Sequence, residues 1–291
     1  MGKLDGKVAL ITGGARGQGR SHAVRLAAEG AQIIICDIAE QVESVPYPLA
    51  SQADLAETAK LVEDEGQRCV FMQVDVREPA QVRALVDRGV SVFGRIDIAV
   101  VNHGICIPGG WDTPDDQMID TLDINLKGSF QVCRAVIPQL IQQGQGGSIV
   151  LTASMCGLVS SYGLLAYSMS KHGIVGMVKC LSAELGAHHI RVNSVCPGAV
   201  NTTMVVNDHM KKLFSGGAST DPEEALRFGM GTMSLLPDDW AESSDVSNAV
   251  AFLASDEARC VTGINMPVDL GAVNQPPGIP LPVAEMLSAA N

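Results

Sequence analysis

The 291-residue sequence predicts a doubly wound α/β fold: one domain, with a parallel sheet of about seven strands and helices on both faces. Short β-rich runs alternate with helical patterns along the chain, the signature of strand–helix–strand units. The runs are apolar at consecutive positions rather than at every second one, which marks strands covered on both faces. Apolar residues make up 46% of the chain and aromatics only 4%, so the core must be aliphatic. No repeat with a period of 20–50 residues interrupts this pattern.

The elements follow in order. Residues 7–12 (KVALIT) form the first strand, and a glycine-rich turn leads into a helix to about residue 29, where Gly30 suits the C-cap. Residues 31–36 (AQIIIC) are the second strand, 54–65 a helix, and 69–74 (CVFMQV) the third strand. Residues 79–92 are helical, with Pro79 in the first turn, where its missing N–H costs nothing. Residues 97–101 (DIAVV) are the fourth strand, and 115–143 are mostly helical, with a kink expected at Pro138. Residues 148–152 (SIVLT) are the fifth strand, 164–188 a long helix, and 190–195 (IRVNSV) the sixth strand. Residues 243–255 are helical and 264–268 (INMPV) close the sheet. Three segments break the alternation: 39–51 (AEQVESVPYPLAS), the Met-rich stretch 202–239, and the tail 273–291. Connections this long in a compact domain are functional or disordered.

Composition excludes several functions. A net charge of −12 is wrong for a nucleic-acid partner or for docking on anionic lipid. No apolar stretch approaches the ~20 residues of a membrane span, and residues 1–7 lead straight into a strand without a signal-like apolar region, so a cytoplasmic protein is expected. The eight cysteines form no Cys-x-x-Cys and the six histidines no His-x-x-x-His, so neither a metal site nor a disulfide framework is expected.

Thr12-Gly13-Gly14-Ala15-Arg16-Gly17-Gln18-Gly19 lies between the first strand and its helix. Glycines there allow a tight turn and let backbone N–H groups approach a pyrophosphate at the positive helix end. Asp37-Ile38 closes the second strand, 18 residues beyond Gly19. A carboxylate at that point accepts from both hydroxyls of an adenosine ribose and repels a 2′-phosphate, which favours NAD over NADP. Arg16 is the contrary sign, since a base in the turn could pair with such a phosphate. Asp75-Val76 ends the third strand and Asn102-His103-Gly104 the fourth, at the carboxyl ends where ligands of such sheets lie. Asp75 could bond the adenine amine, and Asn102 and Gly104 could wall the adenosine ribose; each could equally be a turn residue.

Tyr167-Ser168-Met169-Ser170-Lys171 puts a phenol and an ammonium one helical turn apart on one face. A free tyrosine, with pKa ~10, is a poor base at neutral pH. A fixed cation beside it favours the phenolate, so a lowered Tyr167 pKa is expected.

Taken together and in this order, Thr-Gly-x-x-x-Gly-x-Gly, Asn-x-Gly, Ser154 and Tyr-x-x-x-Lys resemble the short-chain dehydrogenase/reductase family over about residues 7–272. Ser154 lies 13 residues before Tyr167, and Pro197-Gly198 follows the sixth strand, as in that family. His103 stands where the family usually has alanine. The resemblance implies a Rossmann-type domain over 1–272, with 202–239 as a substrate lid. It implies an NAD-dependent enzyme that oxidises a secondary alcohol, with Tyr167 as base, Lys171 orienting the nicotinamide ribose, and Ser154 bonding the substrate oxygen. Asn125 would complete the catalytic set by holding a water that relays protons from Lys171. Read without the resemblance, Asn125 is a solvated mid-helix amide. Pro197, Gly198, Val200 and Thr202 would meet the nicotinamide carboxamide.

Residues 45–50 (VPYPLA) and 54–58 (DLAET) resemble the insertion of the mycofactocin-coupled subgroup, which includes carveol dehydrogenases. That implies a firmly held NAD under residues 39–51, with mycofactocin as electron carrier. Met204, Met210, Met230 and Met233 could line an apolar pocket for a small cyclic terpenoid alcohol, or could simply pack the lid on the core. A homotetramer, with the tail 273–291 at an interface, is expected from the family. The alternatives are a carbonyl reductase with freely exchanging NAD(H), and a non-catalytic NAD-binding protein, which would not need Ser154, Tyr167 and Lys171.

Overall fold

The computed structural model describes residues 2–215 and 221–275. Seven strands form one sheet: β1 (Val8–Thr12), β2 (Gln32–Asp37), β3 (Cys69–Gln73), β4 (Ile98–Val101), β5 (Gly147–Thr152), β6 (Ile190–Pro197) and β7 (Asn265–Val268). Their order is β3-β2-β1-β4-β5-β6-β7, and every pairing is parallel. The order reverses between β1 and β4, which opens a crevice beyond their carboxyl ends.

Helices α1 (Gly17–Ala28), α2 (Gln52–Asp64) and α9 (Ser243–Ala254) pack around one apolar layer, with Ala9, Ile11, Ile33 and Ile35 pointing into it. Helices α3 (Pro79–Phe93), α5 (Gly128–Gln143) and α6 (Leu165–Leu185) cover the other, which receives Leu10, Ile34, Val101 and Ile149. Successive strand residues therefore feed opposite layers, which is why the central strands read as unbroken apolar runs. At the edge, β3 leaves Phe71 44% exposed.

Local chemistry sets the helix ends. Ser51 and Asp54 form a reciprocal capping box that starts α2 two residues before the predicted point. Pro79 opens α3, and Gly94 ends it in the left-handed region.

Pro138 sits within α5 (Gly128–Gln143), and a change of helix type lies upstream, where α4 (Asp115–Leu122) passes through a π-helical turn, Asp123–Lys127, before α5. Such a turn inserts one residue and re-aims the side chains around it. The described residues of the stretch 202–239 include two helices, α7 (Asp208–Ser215) and α8 (Pro222–Thr232), beyond the carboxyl ends of the strands. Of the tail 273–291, only residues 273–275 are described, so the expected interface packing lies outside the described residues.

Candidate active site

The glycine turn is sterically obligatory. Gly13 and Gly17 have positive φ, and a Cβ on Gly19 would stand 1.9 Å from the Gly13 carbonyl oxygen. Arg16, at the N-cap of α1, makes no side-chain cap, so the first N–H groups of the helix are left for an anion. This turn opens onto a cavity of about 260 Å³. Gly13, Arg16, Gly17, Gln18, Asp37, Ile38, Asp75, Val76, Asn102, Gly104 and Thr202 all line it. Gly19 lies beneath the turn, and Val200 is buried in the α1–α9 layer. Pro197 stands at the end of β6, where its carbonyl faces Ser154.

Asp37 Oδ2 accepts from Ala15 N at 3.2 Å and Oδ1 from Ala39 N at 3.4 Å. Burial raises its carboxyl pKa, while those N–H groups and the Arg16 charge oppose the rise. The Arg16 guanidinium donates to the backbone carbonyl of Pro48 in the insertion. Both oxygens of Asp75 accept from Arg77 at 2.7–3.1 Å, so an adenine amine would have to share a carboxylate already in an ion pair. Burial alone would raise Asp75, but the hydrogen bonds and charge of Arg77 outweigh it and hold the carboxyl below its usual range.

The insertion forms part of this cavity's wall. Val42, Tyr47, Leu49 and Ala50 line the cavity, and Val42, Val45 and Tyr47 pack with Ile105, Ile107 and Ile124. Tyr47 Oη accepts from Cys106 N at 3.0 Å, and Ser44 Oγ donates to Asp120 at 2.6 Å.

A second cavity of about 390 Å³ adjoins the first. Ser154, Tyr167 and Gly198 line it, with Met204, Met210, Met230 and Met233 from the stretch 202–239 and Cys106 and Cys156 beside the phenol. The methionines wall the cavity, and Met210 and Met230 also pack with Leu226 of α8, in a small cluster separate from the two core layers. Ser154 Oγ accepts from Cys156 N at 3.2 Å and donates to the Pro197 carbonyl at 3.5 Å. Lys171 is buried, its Nζ donating to the Thr152 carbonyl at 2.8 Å and lying 5.4 Å from the centre of the Tyr167 ring.

The expected lowering of Tyr167 is corrected. Burial of the hydroxyl raises its pKa well above the ordinary value; the neighbouring Cys106 and Cys156 thiols add to this, and the Ser154 hydroxyl only partly opposes it. Burial also brings Lys171 down to about 8, so the cation itself is weakened.

The reading of Asn125 as a solvated amide is also corrected. It is fully buried in the π-helical turn. Its Oδ1 accepts from Ile105 N at 2.8 Å, and its Nδ2 donates to Ile105 O at 2.9 Å and Ser170 Oγ at 3.1 Å. The extra residue of the π turn is what rotates this amide inward.

His103 has no role that the sequence alone predicts. It is buried; Thr12 Oγ1 lies 2.7 Å from its Nδ1 and the Ile124 carbonyl 3.2 Å from its Nε2. Burial and the Lys171 charge bring its pKa down to about 3. Its place beside Asn102 was the only sequence signal for it. Among the described residues, no cluster of three or more metal-ligating side chains occurs.

The arrangement fits a dinucleotide. The turn admits no side chain at its closest approach, the helix end is uncapped, and a carboxylate waits at the end of β2. Comparisons with known proteins point the same way. A family model described as enoyl-(acyl carrier protein) reductase matches residues 13–273. The chain is similar to crystalline carveol dehydrogenase from Mycobacterium avium in complex with NAD: TM-score 0.92, 45% identity, 94% of this chain and 100% of that one. It is similar to a short chain dehydrogenase from Mycobacterium paratuberculosis bound to NAD: TM-score 0.87, 44% identity, 94% of this chain and 100% of that one. The (-)-trans-carveol dehydrogenase of Rhodococcus erythropolis is 43% identical over 273 residues, 93% of this chain and 99% of that protein.

Proposed function

The chain belongs to the short-chain dehydrogenase/reductase family, as an NAD-dependent oxidoreductase, and on that footing we propose that it oxidises a small apolar or cyclic terpenoid secondary alcohol, such as carveol, to the ketone. The observation that carries this reading is one wall. Ser154 and Tyr167 face a methionine-lined cavity, and Lys171 lies behind them where that cavity meets the cofactor crevice.

The residues present fit NAD. The N–H groups of the glycine turn would hold its pyrophosphate, Asp37 its adenosine ribose, and Lys171 its nicotinamide ribose, with Pro197, Gly198, Val200 and Thr202 toward the carboxamide. When bound, NAD supplies the hydride acceptor. Ser154 Oγ donates to the alcohol oxygen and stabilises the negative charge that develops there. Tyr167 Oη takes the hydroxyl proton as general base. Burial favours the neutral phenol, so the phenolate that accepts this proton depends on positive charge beside it: that of Lys171 and that of the oxidised cofactor. Asn125 acts on this set by position, binding Ile105 on one side and Ser170, next to Lys171, on the other.

The same reading makes residues 1–272 the catalytic domain, with 39–51 as a cover over the cofactor and 202–239 as the substrate lid. NAD stays bound under the cover, and electrons leave through mycofactocin. The support is the backbone clasp from Arg16 to Pro48 and the bond between Tyr47 and Cys106, which tie the cover to both walls of the crevice. The protein works as a cytoplasmic homotetramer; exposed Phe130, Ile141 and Met169 on α5 and α6 are the apolar surface such an assembly would cover. No described helix is long and apolar enough to cross a membrane. Light scattering tests the assembly, and a monomer would end it.

Incubation with carveol and NAD, without and then with an artificial electron acceptor, tests the function. Turnover only with the acceptor is the expected result. Free NADH in solution would defeat the trapped-cofactor part, and no ketone under either condition would defeat the alcohol-oxidising part.

A further inference from the structure

His103 makes bonds at both ends of its ring, and the two ends reach different halves of the site. Nδ1 meets Thr12 Oγ1 at 2.7 Å, at the last residue of β1, just before the glycine turn. Nε2 meets the Ile124 carbonyl at 3.2 Å, one residue before Asn125 in the π-helical turn. A carbonyl only accepts, so Nε2 carries the proton and Nδ1 accepts from the Thr12 hydroxyl. Thr12 Oγ1 in turn accepts from Asn102 N at 3.1 Å and His103 N at 3.4 Å, which ties the ends of β1 and β4 together.

The fit around the ring is close. A Cβ on Gly128 would stand 3.0 Å from Nε2, and a Cβ on Gly13 would stand 2.8 Å from the His103 Cα. An alanine at position 103 could make neither side-chain bond.

We propose that His103 is a positioning residue: a two-ended brace that sets the glycine turn against the π-helical turn, and so the cofactor against Asn125, Ser170 and Lys171. The inference rests on the NAD-linked alcohol oxidation argued above. The brace has separable ends, and conservative replacements can break them one at a time. The amide nitrogen of glutamine reaches about as far as Nε2, so His103→Gln keeps a donor for Ile124 and loses the acceptor for Thr12. The amide oxygen of asparagine stands about where Nδ1 does, so His103→Asn does the reverse.

The test is to titrate nucleotide-stripped full-length protein with NAD and to measure kcat for alcohol oxidation in both variants. A lost hydrogen bond of ordinary net strength predicts a change of ~10-fold in the affected quantity. In His103→Gln the loss falls mainly on NAD affinity; in His103→Asn it falls mainly on kcat. Thr12→Val leaves the ring in place and, because it also strips the acceptor from the Asn102 and His103 N–H groups, should lower NAD affinity at least as far as His103→Gln does; it serves if that variant fails to fold. Equal losses in both quantities for both variants, or losses that simply follow the melting temperature, would overturn the brace and leave a space-filling ring. If wild-type protein binds NAD but oxidises no alcohol, the functional reading fails, and the NAD affinities of the variants still decide the brace at its Thr12 end.

Discussion

Tyr167 shows what residue spacing carries and what it does not. Its closeness to Lys171 was legible, because a four-residue step on a helix fixes a shared face whatever surrounds it; Ser154, off that helix, came only from the family resemblance. The Tyr167 pKa was not legible, because burial of the hydroxyl and the nearby Cys106 and Cys156 thiols act on the phenol only after folding. Two outcomes are expected at this scale. Tyr167→Phe should lower kcat by ~10³-fold or more while NAD remains bound, since proton transfer alone is worth ~10²–10⁴-fold; activity within tenfold of wild type would refute the base. Lys171, brought down to about 8 by burial, carries its charge below that pH and loses it above. Ultraviolet titration of the cofactor-free protein should therefore show no phenolate from Tyr167 between pH 7 and 9, where a lowered tyrosine would already have titrated. His103 was invisible as an actor for a different reason. A histidine acquires partners only from its fold, and here they come from residues 12 and 124, far apart in the chain.

Elements were legible where their own residues define them. The seven strands, Pro79 at the head of α3 and the long α6 follow from local patterns. The π-helical turn was not, because its cause is tertiary: the buried Asn125 amide bonds Ile105 on a neighbouring loop, and no periodicity announces that. Gly128 makes the turn possible, since a Cβ there would lie 2.7 Å from Val76 Cγ2 as well as close to His103. Gly128→Ala should therefore destabilise the protein by ~1–3 kcal/mol, the usual cost of overpacking, read from the urea midpoint; an unchanged midpoint would show that the contact relaxes freely. The insertion is the second element whose role can be tested. Deleting residues 43–51 removes Tyr47 and Pro48, and with them both ties to the crevice. Deletion protein that still carries its NAD through gel filtration would count against a cover.

The whole molecule was the most legible level, because a run of strands apolar on both faces leaves few alternatives to a helix-covered parallel sheet. Its acid stability was not, since it depends on which histidines end up inside. His22 is fully buried, its pKa brought down to about 4 by burial, and His103 is held near 3. Both folded values lie below the unfolded value of ~6.5, so the unfolded chain binds more protons once the pH falls below that point. Stability is then expected to decline from about pH 6.5 downward, at up to ~1.4 kcal/mol per pH unit for each histidine. Urea unfolding at pH 7.5 and 5.5 would measure this, and equal midpoints would contradict it. Parallel strands also give the domain a direction. Residues 3 and 4 are bound to Glu257 and Glu29 at the end where the strands begin, whereas every loop of the site, and residues 272–274 after β7, lie where they finish. On an electrode or a bead, attachment through the amino-terminal side would turn the mouth of the pocket outward to the liquid, and attachment through the other side would press it toward the support.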